Sequence, residues 1–357
     1  MQLFQDLFDR SKQLNQAPSV RPEAYHAQQG RYKIIHQALK IPNLPAPLHY
    51  LNFYTMLGQP RAAIFQQSHL NLQQPLQSAT VLSSISPHMV GQLNSYHMND
   101  DCAFEPQRFQ FGQREQLTGT FPNFSLQRLD QELSFDLKIQ IIDAVSYYCQ
   151  LRWALGQYWS LPCLCQGELH YQGHQYKIEQ IGVFEYARAI HFSYLPLAFW
   201  VYQLIPLSDC QQLIVLQLRD QFNSLLYSRL YLKDLQTLNT YMYDQGVHFK
   251  IHRVYPCVTT PNRQQMYLPR EFEWSYQDNT TQMKIIGQSR GDFKFGLGAG
   301  YVGSFSYQVQ VNDQHYVGEH GYCEYIDCRS LKWQEQHESE HFLAKIGQPK
   351  PILLKKR

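Results

Sequence analysis

Two glutamates in repeated surroundings are the residues of this chain best suited to do chemistry. Gly182-Val-Phe-Glu185-Tyr186 returns later as Gly321-Tyr-Cys-Glu324-Tyr325. A carboxyl group set among apolar and aromatic residues loses hydration, so its pKa rises and it can protonate an alkene or a carbonyl. Arg188 and His191 follow Glu185 closely enough to set its charge, which makes Glu185, Arg188 and His191 the candidate catalytic set. The competing account is a salt bridge, Glu185 with Arg188 or Glu324 with Arg329. A repeated structural bond explains a repeated glutamate more simply than two active sites do. Around these lie residues suited to an apolar ligand: Trp153, Trp159, Tyr186, Trp200, Gln203, Tyr301 and Tyr307, with Glu324 as a polar anchor. Each tryptophan offers a large apolar face and an indole N–H that needs a partner when buried.

Other motifs fall away on physical grounds. His337-Glu338-Ser-Glu-His341 spells HExxH, but residues 342–357 hold no His, Asp or Glu to complete a zinc site. With Glu335 and Glu340 alongside, that segment reads as a solvated acidic helix. Gly298-Ala-Gly300-Tyr-Val-Gly303 matches GxGxxG, yet the alternating Ser304–Val311 follows it instead of a helix that could face a pyrophosphate. Those glycines bend a strand or let a ligand approach the backbone. The eight cysteines lack zinc-ligand spacing and read as reduced core residues. No metal and no cofactor is expected.

The elements that must position the glutamates are strands. Leu133, Phe135, Leu137, Ile139 and Ile141 share one face of an alternating segment, and Gln166–Ile178 reads as a hairpin turning at Gly173. Further strands are expected at 213–219, 271–276, 283–287, 304–311 and 315–326, while 220–231 fits a helix or a strand. Short strands spread over some 300 residues describe barrels or sandwiches. The repeated glutamate segment, each copy behind a hairpin, predicts two similar halves. The expected layout is an N-terminal helical arm over 1–47, with helices near 3–14 and 31–40, then a first barrel over 48–195. A second barrel over 196–330 and a C-terminal helix with a basic tail over 331–357 complete it.

Composition limits the partners. The chain has 357 residues, 31 Lys plus Arg against 29 Asp plus Glu, 45 Gln, 25 Tyr and 20 Phe. That balance excludes disorder and gives no basic face for nucleic acid. Five cations and no acid fall in residues 341–357, which admits weak contact with a membrane surface. No run of 18 apolar residues and no signal-like start is present, so a cytoplasmic protein without a transmembrane segment is expected.

Trp159-Ser-Leu-Pro-Cys-Leu-Cys-Gln-Gly-Glu-Leu-His-Tyr-Gln-Gly, running on to Gly182-Val-Phe-Glu-Tyr-Ala-Arg, resembles the first-domain signature of the AttH and carotenoid 1,2-hydratase-like superfamily. Phe199-Trp-Val-Tyr-Gln-Leu and Leu216-Gln-Leu-Arg-Asp resemble the start of its second domain. Gly303-Ser-Phe-Ser-Tyr and Gly318-Glu-His-Gly-Tyr-Cys-Glu-Tyr are similar to its final hairpin. The resemblance implies an all-β protein of two lipocalin-like antiparallel barrels with an apolar cavity. It also implies binding of a hydrophobic small molecule (lipid, isoprenoid or polyketide-like) or cofactor-free hydration, isomerisation or cyclisation of one, with Glu185 as general acid. The hydratases carry a Trp-x-Asp-x-x-Trp motif where this chain reads Val183-Phe-Glu185-Tyr-Ala-Arg188.

Overall fold

The computed structural model describes residues 9–16, 20–22, 25–86 and 92–329. Twelve strands build the first half: β1 (Tyr32–Leu44), β2 (His49–Leu57), β3 (Ser78–Ile85), β4 (Gln92–His97), β5 (Cys102–Glu105), β6 (Arg108–Phe111), β7 (Glu115–Thr120), β8 (Asn123–Arg128), β9 (Leu133–Ile141), β10 (Ser146–Gln150), β11 (Gly156–Tyr171) and β12 (His174–Ile190). Twelve more build the second: β13 (Leu197–Ser208), β14 (Gln211–Asp220), β15 (Leu225–Asp234), β16 (Asn239–Tyr243), β17 (His248–Val254), β18 (Val258–Thr259), β19 (Gln265–Met266), β20 (Pro269–Gln277), β21 (Gln282–Ser289), β22 (Lys294–Leu297), β23 (Gly300–Val311) and β24 (Gln314–Asp327).

The two sheets repeat one topology. The first runs β4-β3-β2-β1-β12-β11-β9-β8-β7-β6-β5, with β10 beside β11. The second runs β16-β15-β14-β13-β24-β23-β21-β20-β17, with β22 beside β23. The strand pairings around the glutamates are antiparallel: Glu185 on β12 lies between β1 and β11, and Glu324 on β24 lies between β13 and β23. The two copies of the glutamate segment therefore occupy matching strands. The first sheet is a nearly closed barrel, in which the Tyr96 hydroxyl of β4 reaches Glu115 on β7 at 3.2 Å. The second is a half-barrel. Together they form the two lipocalin-like units expected.

Alternation along the strands produces three layers of core. On β9 the apolar residues point inward, with Leu133 and Leu137 fully buried and the residues between them outward. Leu39, Trp159, Phe184 and Tyr186 fill the first barrel, and Phe199, Trp274, Tyr301 and Phe305 fill the second. The opposite faces of the same strands pack against each other and make a third core from Tyr50, Tyr54, Tyr148, Val183, Tyr202, Leu216 and Tyr322. This seam is where the two halves meet.

Two expectations need correction. Residues 31–40 are not helical, and the helical arm does not extend to residue 47: β1 starts at Tyr32 and is central to its sheet. Both of its faces are covered, so Ile34 to Ile41 is a nearly continuous buried run in which neither period is legible. The undecided stretch 220–231 is a turn entering β15. A short helix, α1 (Ser11–Gln16), carries the described part of the N-terminal arm, and α2 (Met98–Asp101) links β4 to β5. Leu3, Phe4, Leu7 and Phe8, the HExxH segment and the expected C-terminal helix lie outside the described residues. Among the described residues, no helix is long and apolar enough to cross a membrane.

Candidate functional site

Lys40 brings the two repeated glutamates together. Its strand, β1, turns Ile35, Leu39 and Ile41 into the first barrel and so turns His36, Ala38 and Lys40 onto the seam. The Lys40 Nζ lies 2.8 Å from Glu185 Oε2 and 2.8 Å from Glu324 Oε1, and neither Lys40 nor Glu185 has any solvent exposure. The ammonium also sits 3.7 Å from the centre of the Tyr202 ring, which adds a cation–π contact.

Each carboxylate has its own aromatic donors. Tyr158 gives its hydroxyl to Glu185 Oε2 at 2.5 Å, and His36 Nε2 stands 3.8 Å from the same oxygen. Trp200 Nε1 donates to Glu324 Oε2 at 2.9 Å, and the Tyr322 hydroxyl lies 3.0 Å from both Glu324 Oε1 and Asn52 Oδ1. Beyond Glu185 a chain of weaker contacts leads to a second buried cation. Lys233 Nζ reaches Ser160 Oγ at 3.4 Å, Ser160 reaches the Tyr148 hydroxyl at 2.7 Å, and Tyr148 reaches Tyr202 at 3.5 Å.

Electrostatics follow from that geometry. Burial opposes the charge on Glu185, but Lys40 and then His36 outweigh it and pull its pKa down to about 2. Glu185 is thus an anion at neutral pH, opposite to the raised pKa that a general acid requires. Burial pushes the Lys233 ammonium down to about 7, with Glu185 partly offsetting it. Burial and then the two carboxylates hold Tyr158 protonated. Lys40 is thus shared between two carboxylates, and Lys233 is the further buried cation near the cluster. The Oε1 atom of Glu185, the Nδ2 of Asn52 and the Oε1 of Gln212 are buried without a protein partner. Unpaired polar atoms in a low-dielectric interior are costly and call for water or a ligand group.

The strand parity that brings Glu185 and Glu324 together separates the other expected residues. Arg188 is three positions from Glu185 on one strand and therefore points the other way. Its guanidinium lies 2.7 Å from His26 Nε2 and 4.4 Å over the Tyr32 ring. The expected Glu185–Arg188 and Glu324–Arg329 bridges do not form: Arg329 binds Asp327 instead, at 2.7 Å. His191 lies beyond the end of β12. Trp159 and Tyr186 pack on one another inside the first barrel with ring centres 5.4 Å apart, and the Trp159 N–H has no partner there. Gln203 lies inside the half-barrel and accepts from Trp274 Nε1 at 2.9 Å. Tyr301 and Tyr307 belong to that same core. Trp153 is 68% exposed and belongs to none of the three cores. Of the residues read from the sequence, the seam unites Glu185, Glu324 and Trp200. Lys40, His36, Tyr158 and Lys233 were missed, and the one available signal was a lone lysine inside an apolar strand.

At one end of the seam, Tyr54, Met56, Phe65, Gln67, Thr80 and Gly298 enclose a recess of about 10 Å³, room for about one water. The Tyr54 ring packs 4.7 Å from His36, which connects the recess to Glu185. The segment 59–77 covers this end and is held by Gln67 Nε2 to the Gly296 carbonyl at 2.9 Å and by the Ala299 N–H to the Ile64 carbonyl at 2.9 Å.

Comparison with known proteins places the fold. A crystal structure of an AttH-like protein from Nitrosomonas europaea matches with a TM-score of 0.61 at 13% identity, covering 88% of this chain and 100% of the other. Kievitone hydratase from Nectria haematococca matches with a TM-score of 0.52 at 10% identity, covering 83% and 89%. The protein CghA matches with a TM-score of 0.51 at 6% identity, again covering 83% and 89%. At such identities the likeness is one of fold. No curated protein matches by sequence. The model of a family of unknown function, DUF6670, matches residues 54–340, and the chain belongs to that family.

Proposed function

We propose that this protein binds a small, largely apolar molecule at the seam between its two barrels and holds a polar group of that molecule against Glu185. The observation that carries the reading is the Glu185 Oε1 atom, fully buried and unpartnered, in a cluster drawn from both halves of the chain. Tyr54, Tyr158, Trp200 and Tyr202 supply apolar walls around it, and a carboxylate held ionised accepts from a hydroxyl or an amine. Entry requires the segment 59–77 to move aside, because the recess beneath it takes only a water. The barrels themselves are filled by side chains such as Trp159, Phe184, Trp274 and Phe305, which favours the seam over either interior.

A cofactor-free hydratase or isomerase is the second reading, favoured by the short Tyr158–Glu185 contact and by a hydratase among the structures that share the fold. In that case Glu185, which starts ionised, takes the proton of the water whose oxygen adds to one carbon and passes that proton to the neighbouring carbon, serving first as base and then as acid.

The test compares two ligands with one skeleton, farnesol and farnesene, by titration calorimetry. A hydrogen bond to a charged group contributes about 1.5–3 kcal/mol, so farnesol should bind roughly 10- to 100-fold more tightly. Glu185→Gln should shrink that ratio to a few-fold. Equal affinities for alcohol and hydrocarbon in the wild-type protein would overturn the anchored-ligand reading.

A further inference from the structure

The recess end of the seam carries a second feature that the buried cluster does not use. The turns there expose large apolar side chains: Trp153 and Phe222 are each 68% exposed, Tyr194 60% and Leu225 46%. They come from three separate segments brought side by side. The Ile190 N–H bonds the Leu155 carbonyl at 3.0 Å, the Gln221 N–H bonds the Pro196 carbonyl at 2.9 Å, and the Tyr194 hydroxyl donates to Gln221 Oε1 at 2.7 Å. Single exposed apolar residues need no explanation, but four on adjoining turns at one rim do.

The charge on this rim is one-sided. Arg31, Lys33, Arg61 and Arg152 are exposed, and none has a carboxylate within salt-bridge distance among the described residues. Arg31 donates to the Ala154 carbonyl at 2.5 Å, next to Trp153, and the Arg61 carbonyl accepts from Leu195 N–H at 3.0 Å, next to Tyr194. The acids of the same turns are occupied. Asp220 accepts the Phe222 and Ser224 N–H groups at 2.8 Å each, and Asp327 is bound to Arg329. Aromatic rings with a polar edge, surrounded by unneutralised cations, suit the headgroup layer of an anionic bilayer, where rings enter the interface and cations meet lipid phosphate.

We infer that this rim docks the protein on an anionic lipid surface through Trp153, Tyr194, Phe222 and Leu225, with Arg31, Lys33, Arg61 and Arg152 against the headgroups. The recess opens at the same rim, so a docked protein faces the bilayer with the covered end of its seam. The contact goes beyond the ligand reading and does not depend on it, because vesicle binding and farnesol affinity are read separately.

Flotation of the full chain with phosphatidylcholine vesicles, and with vesicles containing 30% phosphatidylglycerol (~0.3 mole fraction, enough to give a negative surface potential), tests the inference. The wild-type protein should float with the anionic vesicles, less so as salt rises, and its tryptophan emission should shift to the blue as Trp153 leaves water. At about one cation's worth of attraction per residue, Arg31→Gln/Arg61→Gln/Arg152→Gln should weaken anionic-vesicle binding on the order of a hundredfold. Trp153→Ser/Phe222→Ser should remove the blue shift and most of the binding. Should the triple variant unfold because Arg31 also ties down the Trp153 turn, Arg61→Gln/Arg152→Gln leaves those bonds intact and should still cost on the order of tenfold. Failure of the wild-type chain to bind anionic vesicles would overturn the inference. So would unchanged binding in both sets of variants, which would place the contact on the basic residues of 341–357. Lipid-free self-association lost in the same variants would assign the rim to a second copy of the chain and overturn it equally.

Discussion

Replacing Lys40 by Met removes the cation while keeping its length and apolar stem, and isolates the electrostatics of the seam. Glu185 and Glu324 then stay buried within reach of each other with no ammonium between them. Breaking a buried ion pair from one side costs about 3–5 kcal/mol. The depressed Glu185 pKa points the same way, with Lys40 its largest favourable cause and His36 the next. For a chain of this size about 3 kcal/mol lowers Tm by roughly 4 °C. The pH dependence must also invert. In the wild-type protein the depressed pKa contributes stability that is complete above about 4.5 and fades as pH falls toward 2. In Lys40→Met, burial and the neighbouring carboxylate raise the folded pKa, so the variant gains stability as pH falls from 7 toward 5. Denaturant melts of both proteins between pH 3 and 7 supply the measurement. A loss below about 1 kcal/mol at pH 7, or an unchanged acid profile, would refute the ion cluster as the organiser of the seam.

Glu185→Gln alone should cost less than Lys40→Met, because Glu324 still neutralises Lys40, whereas Glu185→Gln/Glu324→Gln strands the lysine and should cost more than the sum of the single changes; chemical denaturation of the four proteins completes the cycle. Gln203→Leu leaves the Trp274 indole N–H buried without an acceptor and should lower stability by about 1–3 kcal/mol, read from the same melts, without altering farnesol affinity. Arg128→Met, which removes the fully buried partner of Glu115 in the first barrel, should destabilise by about 3–5 kcal/mol at pH 7, less as pH falls and the stranded Glu115 takes up a proton, and should leave farnesol affinity unchanged.

Much of the architecture was legible where one strand face is wet. The alternation of Leu133 to Ile141 and the hairpin at Gly173 declare their strands, because each carries the two-residue period of a half-buried sheet. It failed at β1, whose two covered faces erase that period, and Lys40 was lost with it. The echo of Glu185 in Glu324 identified equivalent positions but could not show that both face the seam, nor that their common partner stands 145 residues before the first of them. Nearness along the chain suggested Arg188, and strand parity sends that residue to the opposite face. Aromatic content marked Trp159, Tyr301 and Tyr307 as ligand residues, although such rings fill a barrel as readily as they line a pocket.

A crystal structure of the protein grown with farnesol would show whether a ligand's polar group meets Glu185 at the seam. The isoprenoid chain should lie between Tyr54, Tyr158 and Trp200, with the segment 59–77 displaced and the hydroxyl within hydrogen-bond distance of Glu185 Oε1. Farnesol found inside either barrel, with the Lys40–Glu185–Glu324 cluster closed and unaltered, would contradict it.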